Sequence, residues 1–566
     1  MKTVSTNHLE EKNNVYVKFY GYKKPFFKFI FRSFIDSIGM NQPVEYYNNR
    51  KRKEFEYKVL LLWDSYNLNV PKVLKNATDY LELSKIDGKT LEEIFTNSFD
   101  LDIVEKVFKD LDFRHSLAKD KKEPLFCHID SNLKNIIYSD GKIFHIDFEM
   151  GREYEKLDKW MEREISKLLY SIMNNQSQEN RNHILNKFVE IYSHKDILQT
   201  LISRNLRNKK IDESKFRLSN ILYDLNDILD SNKEIKIDFE VNKILVIYSG
   251  RFGDILLSTP VIRLLKEKWP TSKITYLTHP KRYEILLHND SFIDKVSYIT
   301  SKKMGIEKDE KYDLVIILNK DNESFIKQSM KVSKNIISFR VGNYDLEKQL
   351  LYTKKYPLQH SMHSVDMRLS LLNNLNKVVS SKKLMYKISQ DEDNFASKYL
   401  REFNLDNKIL IGIQANSFHT KSFRNWSIEN FVNLCLKINE DYKNVYFLLF
   451  GSEDDIVNIS KIKEKINNSF IVAGKVSFRE SAAIMSKINL YIGVDTGPTH
   501  IVGTMNIPMI VMYHSFASSN LLKPLENKKF IAIDHPLNEH GNDDVSMNDI
   551  SVEEVFLNVK KVLKDN

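Results

Sequence analysis

Short apolar runs alternate with helical patterns from Lys243 to the end of the chain, and this alternation restricts the fold more than any other feature. It predicts parallel sheets with helices on both faces. The segment is too long for one such sheet, so we predict two Rossmann-like domains, over residues 241–385 and 386–566. The candidate strands are Ile244–Tyr248, Ile274–Leu277, Leu314–Leu318, Ile336–Val341, Ile409–Ile413, Val445–Phe450, Phe470–Ala473, Leu490–Val494 and Ile507–Met512.

Residues 1–235 are organised differently, because short strands there mix with helical stretches and end in a long charged helical region. The polar and charged residues 231–242 then lead into the first of the alternating strands. A chain of 566 residues has room for three or four domains of ~100–200 residues. We therefore predict an α+β domain over 1–235, followed by the two α/β domains.

Composition excludes several classes of protein. The two cysteines, Cys127 and Cys435, are far apart in apolar surroundings, which excludes a disulfide framework and argues against a zinc site. The first residues form no apolar signal segment, and no run approaches the ~18 apolar residues that span a bilayer. We expect a soluble cytoplasmic protein.

The net charge of +9 comes from 85 basic and 76 acidic residues. An excess of this size suits an acidic substrate or an anionic membrane surface. No nucleic-acid recognition module is visible, so we expect no nucleic-acid partner.

The N-terminal segment carries a motif for phosphoryl transfer. His128 and Asp130 are followed by Asn135 and, after a hydrophobic hairpin, by Asp147. This chemistry needs a carboxylate near the attacking hydroxyl, which suits Asp130, and oxygen ligands for Mg²⁺, which suit Asn135 and Asp147. Each residue alone is common in turns, but the spacing as a whole indicates a catalytic site.

Upstream residues complete a nucleotide site. Lys18 lies on an alternating strand, and the helix 50–63 carries Glu54 and Glu56. A strand lysine paired with a helix glutamate holds nucleotide phosphates in kinases. Glu56 is favoured over Glu54 for this pairing, because Glu56 stands the usual distance before Val70-Pro71. Glu82 lies in a segment that resembles the hinge beside adenine. The alternative for Lys18 is an exposed surface lysine.

Residues 12–235 resemble the protein-kinase-like superfamily, in particular the small-molecule kinases of the lipopolysaccharide-core (Kdo or heptose kinase) and aminoglycoside phosphotransferase type. The resemblance implies ATP and Mg²⁺ as cofactors. Two features depart from it. No G-x-G-x-x-G precedes Lys18, where the chain is too short for a full glycine-rich hairpin, and Glu149 replaces the usual glycine after Asp-Phe.

Polar turns follow three strands of the C-terminal half. Gly250 and Gly253 form a tight turn, and Asp254 falls in the first helical turn after it, at the sheet edge where open α/β sheets bind ligands. The alternative for Asp254 is a helix cap, the common role of one aspartate. The turn Asp495–His500 ends another strand and aims backbone N–H groups at an anion, most often a phosphate.

Two further turns add polar groups. Ser417 and the cation Arg424 follow one strand, with Lys421 as a rival cation, and Glu453 follows another strand. A cation, a phosphate cradle and a carboxylate for ribose hydroxyls suit a nucleoside diphosphate.

In this order the motifs resemble glycosyltransferase family 9, the ADP-heptose:lipopolysaccharide heptosyltransferases, over residues 243–560. The segment His363–Asp366 is similar to a further element of that family. The resemblance implies a GT-B fold, ADP-heptose as donor and no required metal. It makes Asp254 the general base, Gly250 and Gly253 the acceptor-side loop, and Arg424 the cation for the leaving diphosphate. The remaining donor-site residues that it implies are Ser417, Glu453, Asp495, Thr496, Gly497 and His500.

A basic aromatic stretch, Gly21–Ile35, has the pattern of an interfacial membrane segment. We favour the alternative, a strand, loop and helix of the kinase-like domain whose aromatic face is core.

Our leading hypothesis is a bifunctional enzyme of lipopolysaccharide inner-core synthesis. One domain phosphorylates a core sugar, Kdo or heptose, and the other transfers heptose to the same lipid-linked Kdo–lipid A type acceptor at the inner membrane surface. Fusion would raise the local concentration of each activity at that acceptor. The alternatives are a capsule or surface-glycan transferase with another sugar nucleotide, a regulatory pseudokinase domain, and an antibiotic kinase.

Overall fold

The computed structural model divides into two compact units, residues 1–231 and 232–566. It describes residues 8–12, 15–20, 49–149, 156–212, 215–231, 234–299, 304–306, 309–320, 322–357, 361–417, 419–537 and 541–564. The basic aromatic stretch Gly21–Ile35 lies outside these residues.

The first unit contains two antiparallel sheets. One has the order β1-β2-β4-β3, and the other, β5-β6-β7, contains the hairpin that follows Asn135. A short hairpin therefore does precede Lys18, since β1 pairs with the strand that carries it. The strands are β1 His8–Lys12, β2 Val15–Phe19, β3 Val73–Asn76, β4 Tyr80–Ser84, β5 Lys89–Thr90, β6 Ile136–Ser139 and β7 Lys142–His145.

Helices make up most of the rest of the first unit's described residues. They are α1 Asn49–Ser65, α2 Leu91–Asn97, α3 Leu101–Lys121, α4 Leu157–Met173, α5 Gln178–Ile191, α6 Lys195–Leu206 and α7 Leu218–Ser231. Asp100 caps α3, with its carboxylate accepting from the N–H groups of Asp102 and Ile103. The indole of Trp63, on α1, is fully buried and donates to the carbonyl of Leu125 at 2.8 Å. This bond fixes α1 to the segment that leads into His128.

The second unit contains two six-stranded parallel sheets, of which the first has the order β10-β9-β8-β11-β12-β13. Its elements are β8 Lys243–Ile247, α8 Phe252–Lys268, β9 Lys273–Thr278, β10 Lys295–Tyr298, β11 Leu314–Ile317, α9 Glu323–Ser329, β12 Ile336–Phe339, α10 Tyr344–Glu347, β13 Tyr352–Lys354 and α11 Ser364–Ser370.

The second sheet repeats this topology, with the order β16-β15-β14-β17-β18-β19. Its elements are α12 Gln390–Glu402, β14 Ile409–Gln414, α13 Ile428–Asp441, β15 Val445–Phe450, α14 Ile456–Lys465, β16 Ser469–Ile471, α15 Phe478–Met485, β17 Leu490–Val494, α16 Gly497–Thr504, β18 Met509–Tyr513, α17 Ser519–Leu522, β19 Phe530–Asp534 and α18 Val552–Lys564.

Both faces of each sheet are buried, which explains the continuous apolar runs. On β8, Ile244 and Val246 belong to one core cluster, and Leu245 and Ile247 belong to the cluster on the opposite face. The same division separates Ile411 from Leu410 on β14. Parallel strands covered on both sides have this pattern, so the prediction of two parallel sheets with helices on both faces is confirmed.

No helix among the described residues is both long and apolar enough to span a membrane.

We expect Ile492→Ala to destabilise the second unit. Ile492 is fully buried on the central strand β17, and truncating a buried isoleucine costs about 2–5 kcal/mol. Thermal unfolding should show a Tm lowered by about 5 °C or more. Leu436→Ala removes similar atoms from a side chain of α13 that is 45% exposed, and should change the Tm by much less. Equal shifts in the two variants would contradict the assignment of β17 to the core.

Candidate active sites

In the first unit, Lys18 lies between two carboxylates. Its Nζ donates to both oxygens of Glu56, at 2.9 and 2.6 Å, and to Oδ1 of Asp147 at 2.9 Å. The hydroxyl of Tyr20 also donates to Glu56, at 2.6 Å. Burial alone lowers the pKa of Lys18, but Glu56 and Asp147 raise it above its usual value. The residues come from β2, α1 and the turn after β7, so the contacts bring together three distant segments.

Asp147 has an unusual backbone. Its φ is +66°, a left-handed conformation that non-glycine residues seldom adopt and that clusters at functional sites. The next residue, Phe148, is buried against the ring of Trp63, with centroids 4.8 Å apart. Burial raises the pKa of Asp147, but Lys18 holds it below its usual range, so the side chain is a carboxylate.

The carboxylate of Asp130 is held by two side chains. The amide of Asn135 donates to its backbone carbonyl at 3.0 Å and to its Oδ2 at 3.1 Å, and the ammonium of Lys167 contacts its Oδ1. Lys167 lies on α4 and is absent from the sequence-based prediction. Nothing in its local sequence distinguishes it from other lysines of amphipathic helices.

His128 supports the site from the core. Its Nε2 lies 2.9 Å from the carbonyl of Ile146, and the backbone N–H of His128 donates to the carboxylate of Glu164 at 2.7 Å. Burial lowers the pKa of His128 to about 4, so the ring is neutral. Glu164 is fully buried and pairs with Arg114 at 2.7 Å. The histidine therefore joins the turn before Asp130 to the turn before Asp147.

The donor set of this site fits a magnesium ion. The NH₂ group of Asn135 donates to Asp130, which leaves its amide oxygen as an acceptor. Carboxylate oxygens of Glu56, Asp147 and Glu149 lie within 4.8 Å of one another. Oxygen donors of this kind are those that Mg²⁺ prefers.

Two other predicted residues have different partners. Glu82 lies on β4 and its carboxylate is 3.7 Å from Lys75 on β3. Glu149, at the position usual for glycine, forms a buried ion pair with Arg52 of α1. Glu54 pairs at the surface with Arg50, which agrees with the choice of Glu56.

In the second unit, the strand order fixes where ligands bind. Each sheet changes winding direction between its first and fourth strands, β8 and β11 in one sheet and β14 and β17 in the other. Open α/β sheets bind ligands at the carboxyl ends of such strands. Gly250 to Asp254 follow β8, Ser417 follows β14, and Asp495 follows β17, so the predicted turns occupy these edges.

Arg424 and Asp495 form a buried ion pair across the edge of the second sheet. Nη1 of Arg424 donates to Oδ2 of Asp495 at 2.7 Å, and the two side chains are 7% and 6% exposed. Asp495 Oδ1 and Arg424 Nε are buried and have no hydrogen-bond partner among the residues that the structure describes. His500 of α16 lies 3.7 Å from Asp495, and burial lowers the pKa of its ring. The pair therefore retains unsatisfied polar atoms.

Helices α8 and α16 meet at Gly253. A Cβ added there would lie 2.6 Å from the ring of His500 and 3.7 Å from the Cα of Gly497. Only glycine fits such an approach. This close approach brings the turn after β8 against the turn after β17. The carboxyl ends of the strands in the two sheets therefore face one another.

Asp254 has both a capping and a charged partner. Its Oδ2 accepts from the N–H of Arg251 at 3.1 Å, as a helix cap does, and its Oδ1 accepts from Nη2 of Arg368 at 3.2 Å. Arg368 also donates to the hydroxyl of Tyr248 at 2.7 Å. The Asp254 side chain remains 39% exposed. Arg368, on α11, is a residue that the sequence analysis missed, although it noted the segment in which α11 begins.

The turn after β14 carries the rival cation. Burial lowers the pKa of Lys421, and the neighbouring Arg424 and Arg251 lower it further. The hydroxyl of Ser417 donates to the carbonyl of Lys421 at 2.7 Å. The backbone N–H of Ser417 donates to the side-chain oxygen of Asn425. These contacts fix the turn and leave a cluster of cations beside Asp495.

The other donor-site residues lie in turns of the same sheet. Thr496 is the residue before α16, and Gly497 is the first residue of that helix. Glu453 lies in the turn after β15 and is exposed. Gly250 accepts from Arg282 through its carbonyl at 2.6 Å, a bond that fixes the turn after β8.

The second unit is similar in sequence to known proteins. Residues 307–543 match the model of glycosyltransferase family 9 (heptosyltransferase). Lipopolysaccharide heptosyltransferase 3 of Escherichia coli K12 is 26% identical over 282 residues, which cover 46% of this chain and 79% of that protein. Lipopolysaccharide heptosyltransferase 1 of Campylobacter coli is 23% identical over 356 residues, which cover 57% of this chain and 99% of that protein.

The fold has a matching neighbour. The glycosyl transferase family 9 structure from Veillonella parvula DSM 2008 aligns over 59% of this chain and 100% of its own, with a TM-score of 0.50 and 20% identity. The second unit is similar to the heptosyltransferases of glycosyltransferase family 9. Its paired parallel sheets are GT-B-like, as the motifs predicted.

We expect the Arg424–Asp495 pair to be coupled in stability. Asp495→Leu or Arg424→Met alone leaves a buried charge without a partner and should cost about 3–5 kcal/mol, whereas the double variant should recover most of this loss. Urea unfolding measures the free energy of unfolding of each single variant and of the double variant. The exposed pair Lys560–Asp441, 2.8 Å apart, provides the control cycle and should show a coupling below about 1 kcal/mol. Additive losses in the Arg424–Asp495 cycle would contradict a buried pair.

Proposed function

We propose that the second unit is an inverting glycosyltransferase that transfers heptose from ADP-heptose to a lipid-linked lipopolysaccharide-core acceptor. The observation that carries the proposal is the meeting of the two sheet edges at Gly253, with a carboxylate on one side and a cluster of cations on the other. The sequence similarity to heptosyltransferases supports the sugar and the acceptor class.

In this mechanism, Asp254 accepts the proton of the attacking acceptor hydroxyl. Arg368 and the N–H of Arg251 orient its carboxylate, and each oxygen has a further lone pair for the proton. The acceptor oxygen bonds to the anomeric carbon as the bond from that carbon to the diphosphate breaks, and ADP leaves with the electron pair.

The departing diphosphate needs fixed positive charge. Lys421 suits this role better than Arg424, because Arg424 already pairs with Asp495 whereas no ion pair of the Lys421 ammonium occurs among the described residues. The N–H groups at the start of α16 add partial positive charge. We assign Ser417, Thr496, Gly497 and His500 to the same donor site, and Glu453 to the nucleoside.

For the first unit we propose a sugar kinase that uses ATP and Mg²⁺. The contacts of Lys18 with Glu56 and Asp147 support it, because they join the phosphate-binding lysine to a metal-binding carboxylate. Asp130 would accept the proton of a core-sugar hydroxyl, Kdo or heptose. Asn135 and Asp147 would hold Mg²⁺, which neutralises charge on the nucleotide phosphates.

We expect Asp254→Asn to lower the kcat of heptose transfer by about 100-fold or more while ADP still raises the Tm of the protein, because the amide cannot accept the proton. Asp294→Asn is the matched control: Asp294 is 38% exposed and pairs with Lys266 at 3.0 Å in the same sheet domain. Unchanged turnover of Asp254→Asn would refute its role as base.

We expect Asp130→Asn to abolish ATP-dependent phosphorylation of a Kdo–lipid A acceptor and to spare heptose transfer, as mass spectrometry of the products can show. The control is Asp196→Asn, since Asp196 forms a lysine pair with Lys119, at 2.9 Å, elsewhere in the first unit. Loss of both activities in Asp130→Asn would contradict two independent sites. Retained phosphorylation would remove Asp130 from the mechanism.

A further inference from the structure

A cavity of about 910 Å³ lies beside the turn that follows Asp130. Its walls are α2, α4, the turn Asn132–Lys134 and the residues directly after α4, with Leu218 of α7 closing one side. None of the residues assigned above to ATP or Mg²⁺ lines it. The cavity therefore needs a separate explanation.

The lining contains polar groups that suit hydroxyl groups, among apolar side chains such as Phe95 and Leu133. Asn174, Asn175 and Gln176 follow the end of α4 and offer amide donors and acceptors together. The Asn174 and Asn175 side chains are exposed and form no hydrogen bond with the described part of the chain. Tyr170 contributes an aromatic ring that is 40% exposed. Amides beside a partly exposed aromatic ring match the alternating hydroxyl and C–H surfaces of a sugar.

Lys167 connects the cavity to the catalytic carboxylate. It lines the cavity, and its ammonium contacts Oδ1 of Asp130. The same wall contains Leu133, whose N–H donates to Ser171 of α4 at 3.1 Å, so the turn after Asp130 is fixed to the cavity wall. Lys167 therefore lies between the cavity and the carboxylate of Asp130.

The volume indicates the size of the occupant. Pockets for small ligands span ~300–1,000 Å³, so this cavity is at the upper end of the range. One monosaccharide would fill only part of it.

We propose that this cavity binds an oligosaccharide segment of the phosphoryl acceptor, a proposal that rests on the kinase function proposed for the first unit. The reacting hydroxyl lies at Asp130, which takes its proton. The hydroxyl oxygen bonds to the γ-phosphorus of ATP as the bond from that phosphorus to the bridging oxygen breaks, and ADP leaves with the electron pair. Asn174 and Tyr170 bind sugar units next to the one that reacts.

The test uses the full chain and two probes, the deacylated oligosaccharide of Kdo–lipid A and free Kdo. Isothermal titration should show that the oligosaccharide binds at least about tenfold tighter than free Kdo. Asn174→Leu should weaken oligosaccharide binding by about tenfold and leave ATP binding unchanged. Asn186→Leu, an exposed asparagine of α5 that donates to the Asn182 carbonyl at 2.8 Å, is the control and should bind like the parent protein.

Tyr170→Ala tests the same cavity independently. Tyr66→Ala is its control, because both rings are 40% exposed in the first unit. Equal affinity for the two probes would overturn the proposal, and so would parental binding in both Asn174→Leu and Tyr170→Ala. If the variants weaken binding but no probe is ever phosphorylated, the cavity assignment stands and the kinase function fails.

Discussion

The close approach of α8 and α16 at Gly253 determines the site of the second unit. Each parallel sheet alone would present an open edge with a few polar turns. A side chain at position 253 would collide with His500, so the glycine there allows the two helices to approach, and the turns after β8 and β17 then face one another. As a result Asp254 and Asp495, more than 200 residues apart in the chain, both oppose the burial that lowers the pKa of Lys421.

Lys18 has a corresponding role in the first unit. It joins a strand, a helix and the turn after a hairpin through three hydrogen bonds to carboxylates. A buried ammonium without these partners would cost several kcal/mol, so the ion pairs are also what makes its burial tolerable. The packing of Phe148 on Trp63 holds the neighbouring Asp147 beside Lys18. Stability and site geometry therefore rest on the same contacts.

The sequence predicts the centres of the sheets better than their edges. The central strands were predicted within a few residues because both of their faces are buried, whereas β10, β13 and β19 were missed. All three are partly exposed edge strands, and β10 and β13 have no continuous apolar run, although β19 begins with four apolar residues. Motif spacing likewise predicted the pairing of Lys18 with Glu56, but not its contact with Asp147. It could not identify Lys167 or Arg368, because these lie on helices distant in sequence from the carboxylates they contact, and only the tertiary fold decides which strand end a helix faces.

The charges of the two sites explain why metal is expected in only one of them. Lys18 faces two carboxylates while Glu149 is balanced by Arg52, so the first site carries an excess of negative charge. A nucleotide triphosphate would be repelled there unless a divalent cation accompanied it. In the described part of the second unit, Arg368 pairs with Asp254 and Arg424 with Asp495, and Lys421 lies near both carboxylates. Cations in this arrangement would attract the diphosphate of the proposed donor, and fixed side chains can stabilise its departure without a metal ion.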